Sequence, residues 1–403
     1  MDPMPELTFG QRLKLYRERL GKTRAVLGGL VGRSAEWVKA VENDRLLPPR
    51  VHMLDRIARA LKVDVSALVG ELGDRSAAVN GPEHPALAAV RDAVNRIPLS
   101  DGLQPQPLAQ IRERVTAAWR ARHQSSDHRT VLGTLLPDLI RDAQRAVLAY
   151  EGDDRRRAQA VLAEVLGLAQ MFLAYQPAAE VLWRVADRAM IAAQESADPE
   201  ALARAGWFLC QLHREAGDWD TAMAVTLDVV SALEPRTADA HPNLLALWGA
   251  LHFEAAYTAA RSGEEGRAWR YWDLADRVAQ RLPADFYQPQ TSFSRVIMGA
   301  HGVTIAVELQ KSGEAVRQAN GVDPAAIPSR PRRARHLIEA ARGHHGRGDS
   351  EAAVATLRRA YESAPETIRF NGYARQITLD LLDGPRSVRN DVHDLALKVG
   401  LVA

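Results

Sequence analysis

Residues 23–45 read Thr-Arg-Ala-Val-Leu-Gly-Gly-Leu-Val-Gly-Arg-Ser-Ala-Glu-Trp-Val-Lys-Ala-Val-Glu-Asn-Asp-Arg, and the rest of the 403-residue chain is placed relative to them. Thr23 and Ser34 are good N-cap residues, because a short side-chain oxygen accepts from the free backbone N–H groups of a first helical turn. Leu27, Leu30 and Val31 give the first segment an apolar stripe that Gly32 stops, while Val38 and Val41 give the second segment its own. Two short helices joined by a tight turn are expected. Upstream, Leu13, Leu15, Tyr16 and Leu20 mark a helix that ends at Gly21. Downstream, Pro48-Pro49 closes the third helix, a fourth carries Leu54, Ile57, Ala58 and Leu61, and a last turn spans Ser66 to Val69. Period-two alternation, the mark of a half-buried strand, is absent.

These positions resemble the helix-turn-helix of the Xre/Cro, or lambda-repressor-like, family over most of residues 1–70. The matching residues are Leu27, the small Gly28 where two helices cross, Gly32 in the turn, Ser34, Val38, Val41 and Glu42, followed by Leu54, Ile57, Ala58, Leu61, Val65 and Leu68. Three positions depart: Arg24 stands where Gln is common, Arg33 replaces an aliphatic residue, and Asp44 replaces a frequent Gly. The resemblance implies a head that binds double-stranded DNA with its third helix in the major groove. The outward residues of that helix are then Ala35, Glu36, Lys39, Ala40 and Asn43. Glu36 suits cytosine N4, Ala35 or Ala40 a thymine methyl, Asn43 adenine, and Lys39 guanine or a phosphate. Lys22, Arg24, Arg33, Arg45 and Arg50 flank this face and are expected on phosphates, which position the head without reading sequence. Trp37 suits either domain packing or DNA.

Charge follows the same division. Residues 1–70 hold 13 Lys and Arg against 8 Asp and Glu, leaving 39 against 42 for the remainder. A basic head on a near-neutral body fits a polyanionic partner for the head alone.

Residues 71–107 are rich in Gly and Pro and read as a linker with one short helix, Ala86 to Arg96. From about Leu108 onward, long Ala, Leu and Arg segments alternate with Gly-Asp, Gly-Glu or Pro turns, so the whole chain is expected to be all-α. Gly217-Asp218-Trp219 is followed by Ala222, Gly263-Glu264-Glu265 by Ala268, and Gly348-Asp349-Ser350 by Ala353. Each unit closes on a proline, at Pro235, Pro283 and Pro365, and Leu166-Gly167 with Ala179, Trp183 and Ala186 fits an earlier unit. This pattern resembles the tetratricopeptide repeat, whose unit is roughly 34 residues, although the spacing here is mostly longer. The unit near Gly313 carries Gln318 where the Ala is expected. The domain reading is therefore a helix-turn-helix head at 1–70, the linker at 71–107, a helical connection at 108–154, a repeat solenoid at 155–365 and capping helices at 366–403.

In such a solenoid the first helix of each pair lines the concave face. The outward residues on that alignment are Arg204, Trp207, Gln211, Arg214, Phe253, Tyr257, Arg261, Arg335, Arg342 and His345. Guanidinium groups with flat rings form a recognition mixture suited to a peptide or a small carboxylated effector, or to a protein. Enzyme signatures are missing: there is no Walker loop, no His-Glu-x-x-His helix and no Gly-x-Ser-x-Gly elbow. A single cysteine, Cys210, leaves no thiolate cluster for a metal and no internal disulfide. No cofactor or metal is expected. Arg330-Pro331-Arg332-Arg333-Ala334-Arg335 reads as a charged helix start, and Arg347-Gly348-Asp349 as an inter-helix turn.

No apolar run is long enough to span a membrane, and no export signal opens the chain, so a cytoplasmic, nucleoid-associated location is expected. The head-plus-repeat order resembles the peptide-sensing regulators of Gram-positive bacteria. That likeness implies a homodimeric, ligand-responsive transcription regulator in which the array senses and dimerises. The alternative is an interaction adaptor whose array holds another protein.

Overall fold

The structure, a computed structural model, describes residues 8–46, 49, 51–63, 68, 82–96, 104–382 and 384–402. Arg50, most of the closing turn at Ser66 to Val69, and residues 71–81 and 97–103 of the connecting stretch lie outside the described residues. Among the described residues every regular element is a helix.

The head contains α1 (Phe9–Arg19), α2 (Arg24–Val31), α3 (Ala35–Glu42) and α4 (Val51–Leu61). Thr23 caps α2 through the N–H of Val26, and Ser34 caps α3 through the N–H of Trp37. Gly28 is small because α2 and the start of α3 meet there: a β-carbon would sit 2.5 Å from the Arg33 carbonyl oxygen. Asp44 explains its own departure from glycine. It holds a left-handed φ of 52°, and its carboxylate accepts from the Gly10 N–H at 3.0 Å and from the Thr8 hydroxyl. Phe9, Leu13, Leu27, Val31, Val38, Val41, Ile57 and Leu61 form the head's core.

The body runs through α5 (Leu87–Asn95), α6 (Leu108–Gln124), α7 (His128–Ala149), α8 (Gly152–Leu173), α9 (Ala179–Ser196), α10 (Pro199–Glu215), α11 (Trp219–Leu233), α12 (Pro242–Ser262) and α13 (Glu265–Gln280). It continues with α14 (Ile297–Glu308), α15 (Ser312–Ala319), α16 (Arg330–Gly346), α17 (Ser350–Ser363), α18 (Pro365–Phe370), α19 (Gly372–Leu382) and α20 (Arg389–Lys398). Gly217, Gly263 and Gly348 turn the chain between paired helices at φ of 78°, 82° and 79°, a left-handed region that side chains disfavour. The helices α8, α10, α12, α14 and α16 stack side by side as the inner layer. Gln318, the departure from the repeat, lies over Gly302 of α14, where a β-carbon would collide with its amide. The helix that the sequence places in a linker belongs to the array instead: Leu87, Val90, Ala93 and Val94 of α5 are fully buried in the main core.

The array closes on itself. His123, near the end of α6, lies 2.8 Å from the Ser329 hydroxyl that caps α16, and His128 lies 3.0 Å from the Thr367 hydroxyl on α18. Glu366 caps the first turn of α7 across a long sequence separation, accepting from the N–H of Arg129 at 2.5 Å and of Thr130 at 3.2 Å, and from the Thr130 hydroxyl at 2.6 Å. A carboxylate at a helix N-terminus satisfies free donors and meets the positive end of the helix dipole. The side chain is only 13% exposed, so solvent does not replace these bonds readily. Glu366→Ala is expected to destabilise the chain by about 1–2 kcal/mol, the usual cost of losing a helix cap with charged hydrogen bonds. Urea denaturation checks this, and an unchanged midpoint would mean that closure does not depend on Glu366.

Candidate DNA-reading face and concave groove

The head places the expected base-reading residues unevenly. Glu36, Lys39 and Asn43 are exposed on one side of α3 and its end, Ala35 is half-buried, and Glu36 and Lys39 approach each other at 3.9 Å. Ala40 is a correction: it is 2% exposed, because it lies at the edge of the Val38 and Val41 face and neighbouring elements close over its methyl group. Among the flanking cations, Arg45 is exposed and Lys22 is half-buried. Arg24 bonds Glu42 through Nε at 2.7 Å, and the same buried carboxylate takes Arg17, so Glu42 ties α1, α2 and α3 together.

Arg33 is the second correction, since it does not face solvent as a phosphate ligand should. Its guanidinium lies 3.1 Å from the centroid of the Trp219 ring at the start of α11 and donates to the Gly217 carbonyl. Trp37 meets the same Trp219 edge-on at 6.3 Å, which settles its place in domain packing. Ser34 abuts the next repeat turn, where a β-carbon on Gly263 would collide with it. The N-terminal end of α3 is thus covered by two inter-helix turns of the array. Burial and the nearby cations Arg56 and Arg261 lower Arg33 to about 9, so the contact is electrostatically opposed even as the ring attracts it. Sequence reasoning missed Trp219; the only signal was an aromatic where the other turns carry Glu265 and Ser350.

The concave residues do come together, as a charge-matched network rather than an open surface. Arg214 donates to Glu254, Gln211 reaches the same carboxylate at 3.2 Å, and Arg214 lies over Tyr257 at 4.1 Å. Arg261 bridges Glu215 at 3.3 Å and Glu308 at 3.4 Å; Arg342 holds Glu308 at 2.7 Å and Glu339 at 2.6 Å; Arg335 holds Glu339 at 2.6 Å. Burial alone would lower the Arg342 guanidinium, but Glu308 and Glu339 outweigh it and hold it above its ordinary value. Glu339 sits one turn from Arg335 and Arg342 on the same helix, whereas Glu308 of α14 meets arginines from α12 and α16.

The other half of the groove is filled by the chain itself. Residues 283–296, between α13 and α14, cross the inner layer with Gln288, Gln290, Thr291, Ser292, Phe293 and Ser294 buried. The segment satisfies its own backbone: Ser292 N–H bonds the Gln288 carbonyl at 2.9 Å, Gln288 N–H bonds the Phe293 carbonyl at 3.1 Å, and Thr291 N–H bonds the Gln288 amide oxygen at 2.7 Å. Gln290 lies against Gly167 and donates to the Arg204 carbonyl at 3.4 Å. Arg204 pairs with Glu200 at 3.2 Å, Trp207 is buried, and Phe253 stacks on His301 at 3.5 Å between ring centroids. His345 lies apart from the network, 3.4 Å from Asp380 of α19. Among the described residues no group of His, Cys, Asp and Glu could hold a metal ion. Cys210 is buried, and burial pushes its thiol up to about 12, an inert packing residue.

Burial also keeps a set of histidines neutral. It lowers His123 to about 3 and His252 and His336 to about 4, from 6.5, and pushes His128 and His301 well below that value. The unfolded chain takes up protons at these sites below pH 6.5 while the folded chain does not, so their stabilisation is complete above 6.5 and lost as pH falls toward the folded values. Thermal melts are expected to show a flat Tm above pH 7 and a decline that begins between pH 6.5 and 5.5, before carboxylates titrate. A Tm constant down to pH 5 would contradict the neutral assignment.

The comparisons with known proteins agree with the head. A helix-turn-helix domain family matches residues 8–69. The immunity repressor protein of Bacillus phage phi105 is 31% identical over 101 residues, which span 24% of this chain and 69% of the repressor. Among solved structures, Bacillus thuringiensis PlcR in complex with a peptide and DNA is 10% identical, covering 87% of this chain and 99% of its own, at a TM-score of 0.28. The apo form of the competence regulator ComR from Streptococcus vestibularis is 16% identical, covering 73% and 98%, at a TM-score of 0.25. No helix among the described residues is long and apolar enough to cross a membrane. With the capped α2 and α3, the tight crossing at Gly28 and a repressor matched across most of its length, the chain belongs to the lambda-repressor-like helix-turn-helix family of DNA-binding regulators.

Proposed function

We propose that the chain is a one-component transcription regulator that reads an operator as a homodimer and is held in a closed state by its own array. The observation that carries this reading is Arg33 and Trp37 of the head seated on Trp219 of the array. A recognition helix enters the major groove with its N-terminal residues leading, and in this chain those residues face the turns at Gly217 and Gly263. DNA and array therefore compete for the same end of α3. One head contacts only a half-site, so a second copy is needed for an operator of useful length. The array supplies the sensor: a peptide or small effector that favours the undocked arrangement shifts the population toward DNA binding by its difference in affinity for the two states. In this reading Glu36, Lys39 and Asn43 read bases, and Lys22, Arg24 and Arg45 hold phosphates.

The test is fluorescence anisotropy of the purified protein with its own upstream promoter fragment against a scrambled duplex, at two salt concentrations. A preference for the promoter that persists at the higher salt supports the reading; equal, salt-sensitive binding to both duplexes would favour the adaptor alternative. Trp219→Ala is expected to tighten promoter binding about tenfold, equivalent to about 1.4 kcal/mol of released docking. Unchanged affinity would sink the closed state. Glu36→Ala should alter preference at one base position, whereas Arg24→Ala should weaken all sequences alike and flatten the salt dependence.

A further inference from the structure

Among the described residues, Arg122 and Arg332 lack the carboxylate that other groove arginines hold. Arg214, Arg261, Arg335 and Arg342 each pair with a glutamate. Arg122 at the end of α6 has weak acceptors, the Met171 sulfur at 3.4 Å and the His123 ring nitrogen at 3.4 Å, and its buried Nε has no hydrogen-bond partner. For the Arg332 side chain, in the first turn of α16, neither an ion pair nor a hydrogen bond occurs among the described residues. The anions within its electrostatic reach, Glu254 and Glu339, are held by Arg214 and by Arg335 with Arg342.

These two cations belong to one place. The Ser329 hydroxyl caps α16 through the Arg332 N–H at 3.4 Å and lies 2.8 Å from Nδ1 of His123, the neighbour of Arg122. Tyr287, from the segment that fills the groove, meets the His123 ring edge-on at 5.9 Å and is within electrostatic reach of both arginines. Its hydroxyl approaches the Ser292 and Ser329 side chains, and the His123 ring approaches the Pro289 backbone. Arg122, His123, Tyr287 and Arg332 are each half-buried. Arg122, the Tyr287 phenol and the His123 imidazole thus gather around the Ser329 hydroxyl, and Arg332, which follows in the same helix start, lies within electrostatic reach of Tyr287. Burial lowers Arg122 to about 10, the sign of a cation that lacks its counter-charge. Unpaired charge out of water costs several kcal/mol, and an oxyanion between two forks of N–H donors removes that cost.

We infer that Arg122, Arg332 and Tyr287 form an oxyanion site that takes the carboxylate or phosphate of the array's effector. The inference rests on reading the array as a receptor, but its test involves no DNA, so a chain that reads no operator can still pass and one that reads an operator can fail.

The experiment is a melt of the full chain in sodium phosphate or in sodium citrate, each matched in ionic strength with sodium chloride. The Tm is expected to rise saturably with one or both anions. Phosphate alone assigns a phosphoryl group, citrate alone a carboxylate, and both the shared oxyanion. Arg332→Gln and Arg122→Gln should abolish the shift, while Arg330→Gln, a cation of the same helix start held by the Ser363 carbonyl at 2.8 Å, should keep it. Without added anion, Arg332→Gln should melt no lower than the wild type, because it removes an unpaired charge; a merely structural arginine would lower the Tm. Should that variant fail to fold, Arg332→Lys keeps the charge and loses the fork, so the apparent Kd should rise about tenfold. No saturable shift in the wild type, an equal shift in Arg332→Gln, or an unchanged Kd in Arg332→Lys overturns the proposal.

Discussion

Matching buried arginines with buried carboxylates is the constraint on which the body of this protein depends. The inner layer brings long cationic side chains from α10, α12 and α16 into one low-dielectric space, where each needs a partner at hydrogen-bond distance. Glu308 and Glu339 supply this by pairing with two arginines each: Glu308 of α14 ties Arg261 of α12 to Arg342 of α16, while Glu339 neutralises Arg335 and Arg342 within α16. The ionic layer does not replace apolar burial as the source of stability. It selects one curvature from the several that a solenoid of small residues would tolerate.

That selected curvature lets the array close. Without it, Glu366 would not reach the first turn of α7, and His123 would not meet Ser329. Closure in turn gives residues 283–296 an enclosed place. A polar segment survives there because its amides, hydroxyls and carbonyls satisfy one another, so burial leaves few backbone groups orphaned. A solenoid ordinarily offers an open groove, whereas this one has its interior filled by residues 283–296.

Local structure in this chain was legible because it is written in short-range chemistry. Thr23, Ser34 and Gly32 announce two caps and a turn whatever surrounds them, and the glycines at 217, 263 and 348 mark three turns by the backbone angle they alone accept readily. Ala40 was misplaced because a helix wheel separates faces by about 100° per residue but does not say which edge of a face a neighbour will cover. Arg33 was misplaced for a different reason: its partner Trp219 is far along the chain, and no local pattern encodes a contact between units. The groove arginines are legible as a set, but composition shows cations without showing which glutamates neutralise them. Leu87 and Val90 show the same limit. Their helix is short and lies between prolines, so the sequence reads as a connection, although four apolar residues on one face fit the array's core.

Trp219 touches both the head and the inner network. Trp219 receives Arg33 on its ring face, and its indole N–H donates to the carbonyl of Arg214 at 3.2 Å. The guanidinium of that same Arg214 anchors Glu254 in the inner network. A shift at the end of α10 therefore moves the platform on which the head sits. Contiguity of this kind is not yet coupling, which requires the platform to hold two arrangements that a ligand binds unequally. The docking contact supplies the means for such a balance: a cation drawn to an aromatic ring while Arg56 and Arg261 oppose it is a weak latch, and a weak latch responds to small changes beneath it. The pairing in the groove and the pairing at Trp219 thus differ in kind: carboxylates neutralise the groove arginines, while the head rests on the array through a cation that its neighbours oppose.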